Sequence, residues 1–345
     1  MNFQIATLLG QDGLTNGAIY ALLALSILLV FTVTRILLIP LGEFVTFGAL
    51  TMAAIQMGKA PVLEWLLLLL TTIDCSLDIY QQARTRIDKT KLQKTALKLG
   101  YALLMVGLMH YLNLAETPMF FQAVLTLCLI VPLGPIMYRL FFQPLADAPA
   151  LVLLIVSIAT HVAMVGVGLL LFGPEGARTQ PFSDSGFRLG NVMLKSQTLW
   201  IILVSIVLIV SLFIAFERTL YGKALRATAV NRMGARLQGI SPVFAGKATF
   251  ALAAFLGAAS GILIAPITTL YYDSGFIISL KGFVGAIIGG LISYPIAAIG
   301  AVAVGMIEAF SMFWASNYKE IIVFTLIIPF LIWRSMNSQH VEDEE

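Results

Sequence analysis

The stretch GLTNGAIYALLALSILLVFTV, residues 13–33, runs without a charge up to Thr34-Arg35. As a helix it would rise roughly 30 Å, the thickness of a bilayer's hydrocarbon core. Its apolar residues do not alternate with polar ones, which argues against a transmembrane β-strand. Lipid cannot satisfy an open backbone, so a spanning helix is the remaining solution. Similar runs follow at 36–57, 119–142, 149–172, 197–216 and 243–265. Across 345 residues, 59% are hydrophobic and 11% charged, whereas a soluble protein carries about 25% charged residues. The mean hydropathy is +0.94. The chain reads as an all-α, polytopic helical membrane protein, with residues 1–345 forming a single transmembrane domain.

The beginning, MNFQIATLLGQDG, lacks a positive n-region, so the first run reads as a retained helix rather than a cleaved signal. Helices placed at about 13–33, 36–57, 61–73, 96–113, 119–142, 149–172, 197–216, 243–265, 281–293, 295–314 and 320–335 give nine to eleven crossings, some of them broken or half helices. The piece PVLEWLLLLLTTI at 61–73 is short and holds Glu64; it fits a tilted, re-entrant or interfacial segment as well as a span. The stretch 281–314 contains Pro295 and admits two half helices with a break near SYP. With connections alternating sides, one side receives 15 of the 21 Lys and Arg. The other receives Lys59, Arg178, Arg188, Lys195, Lys281 and Lys319. The positive-inside rule makes the first side cytoplasmic. The N-terminus then lies outside, and the tail HVEDEE lies in the cytoplasm.

Two connections are long. Residues 74–98, DCSLDIYQQARTRIDKTKLQKTALK, read as a solvated, basic cytoplasmic loop with a turn or two of helix. The alternative is a docking site for a partner or for anionic lipid. Residues 173–196 are rich in Gly, Pro, Ser and Asp and read as an irregular external loop that could meet an external partner.

Catalytic patterns are missing from the sequence. Cys75 and Cys128 suit neither a disulfide framework nor a zinc site. His110, His161 and His340 lack ligand spacing, so no metal is expected. There is no G-x-S-x-G elbow and no Walker A sequence. The glycine-rich GFVGAIIGG at 282–290 lacks the terminal Lys-Ser/Thr of a phosphate loop. Small residues let membrane helices approach closely. Gly13 with Gly17, Gly257 with Gly261 and Gly285 with Gly289 therefore read as packing positions, or as hinges that line a pathway. Glu43 follows Pro40 and Gly42, which suggests a broken helix. Glu43, His161 and Glu308 are costly in a membrane and should face protein or water. Each serves either an interhelical hydrogen bond or a substrate path. So few ionisable groups argue against a proton relay.

The compact basic segment ERTLYGKALRATAVNRMGARLQGIS, 217–241, sets Arg218, Lys223, Arg226, Arg232 and Arg236 against Glu217. Ala224, Leu225, Thr228, Ala229, Met233 and Leu237 can form one stripe of a short amphipathic helix, which Gly239 would end. Any cytoplasmic loop is basic by the orientation rule. The other reading is a surface on which a soluble motor pushes, since the sequence carries no energy-coupling motif of its own.

The segment GKALRATAVNRMGARLQGI resembles the coupling segment in permeases of branched-chain amino acid ABC importers, in the first of their two paired permease types. GLTNGAIYALLALSILLVFTVTRILLIPLGEFVTFGAL resembles that family's N-terminal helix pair, and YRLFFQPL at 138–145 its Arg…Arg-Pro turn. LKGFVGAIIGGLISYPIAAIGA and GMIEAF…NYKEIIVFTLII resemble its glycine-rich C-terminal helices. The match covers nearly the whole chain outside about 60–118. The resemblance implies a membrane permease subunit of an ATP-driven importer, without an ATPase site or bound cofactor of its own. It implies a second permease subunit, identical or paralogous, two ABC ATPase subunits that use ATP, and an external solute-binding protein. The location would be the inner membrane, and no nucleic acid is expected as a partner. Gly222, Lys223, Arg226, Leu237 and Gly239 are the coupling candidates. Pro40, Gly42, Glu43, His161 and Glu308 are the pathway candidates. The expected solute is a branched-chain amino acid, another amino acid or an amide.

Several positions depart from the family pattern. Val230-Asn231 replaces an acidic pair, Ile292 interrupts the glycine box, and Leu38, Ile39, Pro40 and Leu41 replace a break with Asn and His. The Pro-Gly ending after LIIPFLIWRS is missing, and 60–118 carries an added helical pair. These differences leave the substrate and the partner ATPase open. The rival readings are an ion-gradient-driven secondary transporter and a non-transporting membrane scaffold.

Overall fold

The computed structural model describes residues 3–84, 89–183, 185–189 and 192–337. Arg86 and the tail containing His340 lie outside the described residues, as do the side chains of Arg188 and Arg334. The chain begins with α1 (Phe3–Thr34), α2 (Leu41–Gln56), α3 (Leu63–Arg84), α4 (Lys89–Tyr111), α5 (Met119–Ile130) and α6 (Leu133–Met137). A π-type turn at Tyr138–Phe142 leads to α7 (Ala150–Phe172) and a hairpin of β1 (Gly186–Leu189) and β2 (Val192–Lys195). Then follow α8 (Ser196–Arg218), α9 (Leu220–Val230), α10 (Arg232–Leu237), α11 (Pro242–Ile264), α12 (Ser274–Ile288), α13 (Tyr294–Ala315), α14 (Lys319–Thr325) and α15 (Ile327–Asn337).

Among the described residues, six helices or helix runs are long and apolar enough to cross a membrane: Gln4–Thr34, Met119–Leu145, Ala150–Phe172, Ser196–Arg218, Pro242–Ile264 and Tyr294–Ile332. Shorter apolar helices are Leu41–Gln56 and Ser274–Ile288. This is an all-α, multi-pass membrane fold. The larger number of spans expected from sequence counts the two short helices, the α3–α4 pair and the two halves of 294–332 separately.

The centre is built by α1, α2, α11, α12 and α13, and small residues let them meet backbone to backbone. On α1, a Cβ at Gly13 would come 2.8 Å from Met306 Cα, and one at Gly17 would come 2.8 Å from Val302 Cα. Gly257 faces Phe44, and Gly261 presses on the Val45 carbonyl, so α2 lies directly against α11. Gly285 and Gly289 sit against Ala301 and Ala297, where a Cβ would come 2.5 Å from either methyl. By contrast, α7 and α8 leave Leu151, Ile155, Val162, Leu170, Leu203 and Phe213 exposed, as suits a lipid-facing surface.

Two loop expectations are corrected. Residues 74–84 and 89–98 are helical, forming the facing ends of an antiparallel α3–α4 pair rather than a solvated loop. Their two acids are held by two cations. Lys98 Nζ donates to Asp74 at 2.7 Å and to Asp78 at 2.9 Å. Arg139, on the turn after α6, meets Asp74 at 2.8 Å and Asp78 at 2.5 Å. Farther along the pair, Glu64 lies buried 3.4 Å from His110. Burial alone would raise the Asp78 carboxyl pKa, but hydrogen bonds from Arg139 and Lys98 outweigh it and hold it down at about 2. A depressed pKa stabilises the fold above the ordinary carboxylate value of about 3.9. That contribution fades as pH falls towards 2. Asp78→Asn should therefore lower the thermal midpoint at neutral pH, with the gap to wild type closing between about pH 4 and 2.

The stretch 173–196 is irregular over 173–183, as expected, but it is not irregular throughout. It contains the β1–β2 hairpin and is tied down by an Ala177–Leu270 bridge. Arg178 donates to the Pro266 carbonyl at 2.8 Å, and the Gln180 amide donates to Gln56 Oε1 at 2.8 Å. Lys281, expected in a connection, lies inside α12 and is 5% exposed.

Candidate functional site

The middle of the molecule contains an interruption between α1 and α2. α1 ends where Arg35 adopts φ 61°, a left-handed conformation unusual for a side-chain-bearing residue. Residues 36–39 are not helical, and α2 starts after Pro40. Irregular backbone inside a membrane protein needs partners. Ser157 of α7 supplies them, donating to the Leu37 carbonyl at 2.6 Å and accepting from the Ile39 amide at 3.0 Å. Beyond the break, Gly42 meets Gly275 at the start of α12, where a Cβ would come 2.5 Å from the Gly275 carbonyl carbon. The Gly275 amide donates to Thr46 Oγ1 at 2.9 Å.

Glu43 therefore sits in the first turn of α2, where the helix dipole favours a negative charge. It is 1% exposed. His161 Nδ1 lies 2.7 Å from Glu43 Oε1, and its ring stacks on Phe276 with centroids 4.4 Å apart. Glu43 Oε2 is buried and has no hydrogen-bond partner among the described residues. His161 also lines a cavity of about 510 Å³. The rest of its wall is largely apolar, with Ile27, Leu37, Leu38, Ile39, Leu154, Ile158, Phe276, Leu280 and Phe283, plus Ser279. The broken segment thus forms one wall, and His161 joins the cavity to the buried Glu43 behind it. Such a chamber suits a small solute with an apolar side chain and a few polar atoms.

Glu308 stands apart from this cavity. Its Oε1 accepts from Lys281 Nζ at 2.5 Å and its Oε2 from the Tyr20 hydroxyl at 2.6 Å. All three groups are buried, and together they cross-link α1, α12 and α13.

The segment 217–241 folds as two short helices rather than one. Asn231 ends α9 and caps α10, its side chain accepting from the Gly234 amide at 2.9 Å. This turn divides the expected stripe: Leu225 and Thr228 are buried, whereas Met233 is 67% and Leu237 80% exposed. Thr219 caps α9 by accepting from the Gly222 amide at 3.0 Å. At Gly222, α9 meets the end of α8 so closely that a Cβ would come 2.5 Å from Phe216 Cα. Arg226 folds back onto Glu217 at 3.0 Å, and Lys223 makes no ion pair among the described residues. α10 closes at Gly239, φ 79°, with Ile240 N–H on Ala235 O and Gly239 N–H on Arg236 O. This double bond satisfies carbonyls that would otherwise be left open.

A family profile described as the branched-chain amino acid transport system permease component matches residues 11–331. The chain belongs to this family. Among its relatives are the high-affinity branched-chain amino acid transport system permease proteins LivH of Escherichia coli K12 and of Salmonella typhimurium. Each is 26% identical over 203 residues, which is 56% of this chain and 65% of the relative. The match thus spans just under two thirds of those relatives' length. The permease protein BraD of Pseudomonas aeruginosa is 24% identical over 242 residues, 68% of this chain and 79% of that protein. No solved structure matches the chain.

Against this permease family, two functional-looking contacts were not legible in the sequence. Ser157 carries no motif, yet it completes the break 118 residues away. Arg232 spans from α10 to the end of α1, donating to the Thr34 carbonyl at 2.6 Å and to the Ala146 carbonyl at 3.1 Å. It thereby joins the basic segment to the residue that precedes the break. Its only sequence signal was membership of a basic run.

Proposed function

We propose that the chain is a membrane permease subunit of an ATP-driven importer for branched-chain amino acids or related small solutes. The observation that carries this reading is the link between two surfaces. One is the broken helix, with His161 at an apolar cavity and Glu43 buried behind it. The other is the segment 217–241, whose Leu220, Tyr221, Val230, Met233 and Leu237 stand exposed beside basic residues. Arg232 connects them through Thr34. Exposed apolar side chains clustered at a charged end of a membrane protein mark a docking surface.

In this reading, two ABC ATPase subunits dock on 217–241, and their ATP-driven closure moves α9 and α10. The movement reaches the α1–α2 break and switches the cavity between outward- and inward-facing states. In this reading the ATP sites belong to those partner subunits. A second permease subunit, identical or paralogous, completes the path. An external solute-binding protein docks at the opposite end, where the β1–β2 hairpin and the 265–273 connection meet. The bilayer is the inner membrane, with the basic end cytoplasmic.

The test is affinity purification of the full chain from its membranes in mild detergent. Wild type should bring down a P-loop ATPase. Leu237→Glu places a charge in an exposed apolar patch and should reduce recovery by on the order of tenfold, equivalent to about 1.4 kcal/mol. Arg226→Glu sets two acids face to face and should weaken docking while leaving membrane insertion intact. An ATPase recovered equally from all three proteins would move the docking surface elsewhere.

A further inference from the structure

A second charged chamber lies between the α3–α4 pair and the body of the protein. It has a volume of about 750 Å³. Among the described residues six cations line it, with Asp78: Arg84, Lys91, Lys94, Lys98, Arg139 and Lys247. Asp74 and Asp78 take up Lys98 and Arg139 in the clasp described above. No carboxylate among the described residues pairs with the other four. Arg84 leans over the Tyr80 ring at 4.7 Å. Lys247 is half-buried in the wall and lies within electrostatic reach of two further cations, Arg139 and Lys98, and of the two carboxylates that pair with them, Asp74 and Asp78. With those two acids shared between Lys98 and Arg139, Lys247 adds its charge to those of Lys91 and Lys94 around the same chamber, and like charges gathered at one site favour an anion there.

We propose that this chamber binds a phosphate-bearing anion, held by Lys91, Lys94 and Lys247. Lysines act on phosphate as mobile point charges, and three of them converging on one cavity can follow a group of two or more negative charges. Exposed Leu92, Leu97 and Phe141 lie on the same elements. The anion can thus be the headgroup of a lipid whose chains cover this apolar skirt, as basic clusters beside membrane helices bind acidic headgroups. A soluble phosphate compound presents the same chemistry. Gln143 borders both this chamber and the one formed with Arg232 and Arg236. An anion here would therefore sit next to the basic segment 217–241 and fix the α3–α4 pair against it.

The experiment measures binding to the purified full chain in neutral detergent. The probes are short-chain phosphatidylglycerol, inorganic pyrophosphate and, as a neutral comparison, short-chain phosphatidylcholine. Lys91 and Lys94 are exposed, so K91Q/K94Q leaves the packing untouched; K247Q is tested separately. Each lysine near an acidic surface contributes enough that the double variant should bind on the order of tenfold or more weakly. Phosphatidylglycerol bound without pyrophosphate, and weakened in the variants, supports the site with a lipid occupant. Pyrophosphate binding that weakens in the variants supports it with a soluble occupant. Failure of both probes, equal binding of phosphatidylcholine, or unchanged affinity in K91Q/K94Q and K247Q overturns the proposal.

Discussion

Lys281→Met is expected to destabilise the protein by about 3–5 kcal/mol, the cost of leaving a buried partner charge uncompensated. Lys281 and Glu308 lie 2.5 Å apart, and both are almost fully removed from solvent. Neither can find water if the other is lost. Two of the three helices they join, α1 and α13, also pack through Gly17 and Gly305, so a shift to admit water would open a seam made of backbone contacts. Replacing both, as Lys281→Met with Glu308→Leu, removes both desolvation costs and should recover most of the loss, because apolar replacements of buried pairs are often neutral. Tyr20→Phe strands only Glu308 Oε2 and should cost about 1–3 kcal/mol. Thermal unfolding of the full chain in lipid nanodiscs checks the order: single variant least stable, Tyr20→Phe intermediate, double variant near wild type. A neutral single variant would mean that the three-helix link does not hold the fold.

Gly222→Val is expected to abolish most ATP-driven uptake while leaving the chain in the membrane. A Cβ there would overlap the Ala215 carbonyl and the Phe216 backbone, so α9 must leave its seat on α8. Overpacking of this kind costs about 1–3 kcal/mol. The displaced helix carries Leu220 and Tyr221, and through Asn231 it sets the position of α10 and Arg232. The proposed docking surface and its link to Thr34 move together. Uptake per inserted molecule should fall by more than about tenfold, because a displaced surface of this kind weakens docking by more than 1.4 kcal/mol. Uptake at the wild-type level, with α9 displaced, would separate the coupling role from this helix.

The fold class was legible because each long run is apolar for about the 20 residues a bilayer demands. The break between α1 and α2 was legible because Pro40 and Gly42 fall inside an apolar run beside an acid. What stayed hidden depends on partners distant in sequence. Asp74, Asp78 and Lys98 look like loop charges until Arg139, 61 residues from Asp78, closes on them. Lys281 looks like a flank until Glu308 arrives. Glu43 and His161 each stood out, but nothing in their local sequence paired them across 118 residues. The stripe through Met233 and Leu237 failed for a local reason. Asn231 competes for the backbone, as short polar side chains do, and starts a new helix.

The most direct test is uptake of radiolabelled leucine into proteoliposomes. They contain this chain with the proposed second permease, ATPase subunits and external binding protein, with ATP present or absent in the compartment facing the ATPase. Uptake should require ATP, ignore imposed proton and sodium gradients, and be lost with Leu237→Glu. Uptake driven by an ion gradient with no ATPase present would contradict ATP-driven import.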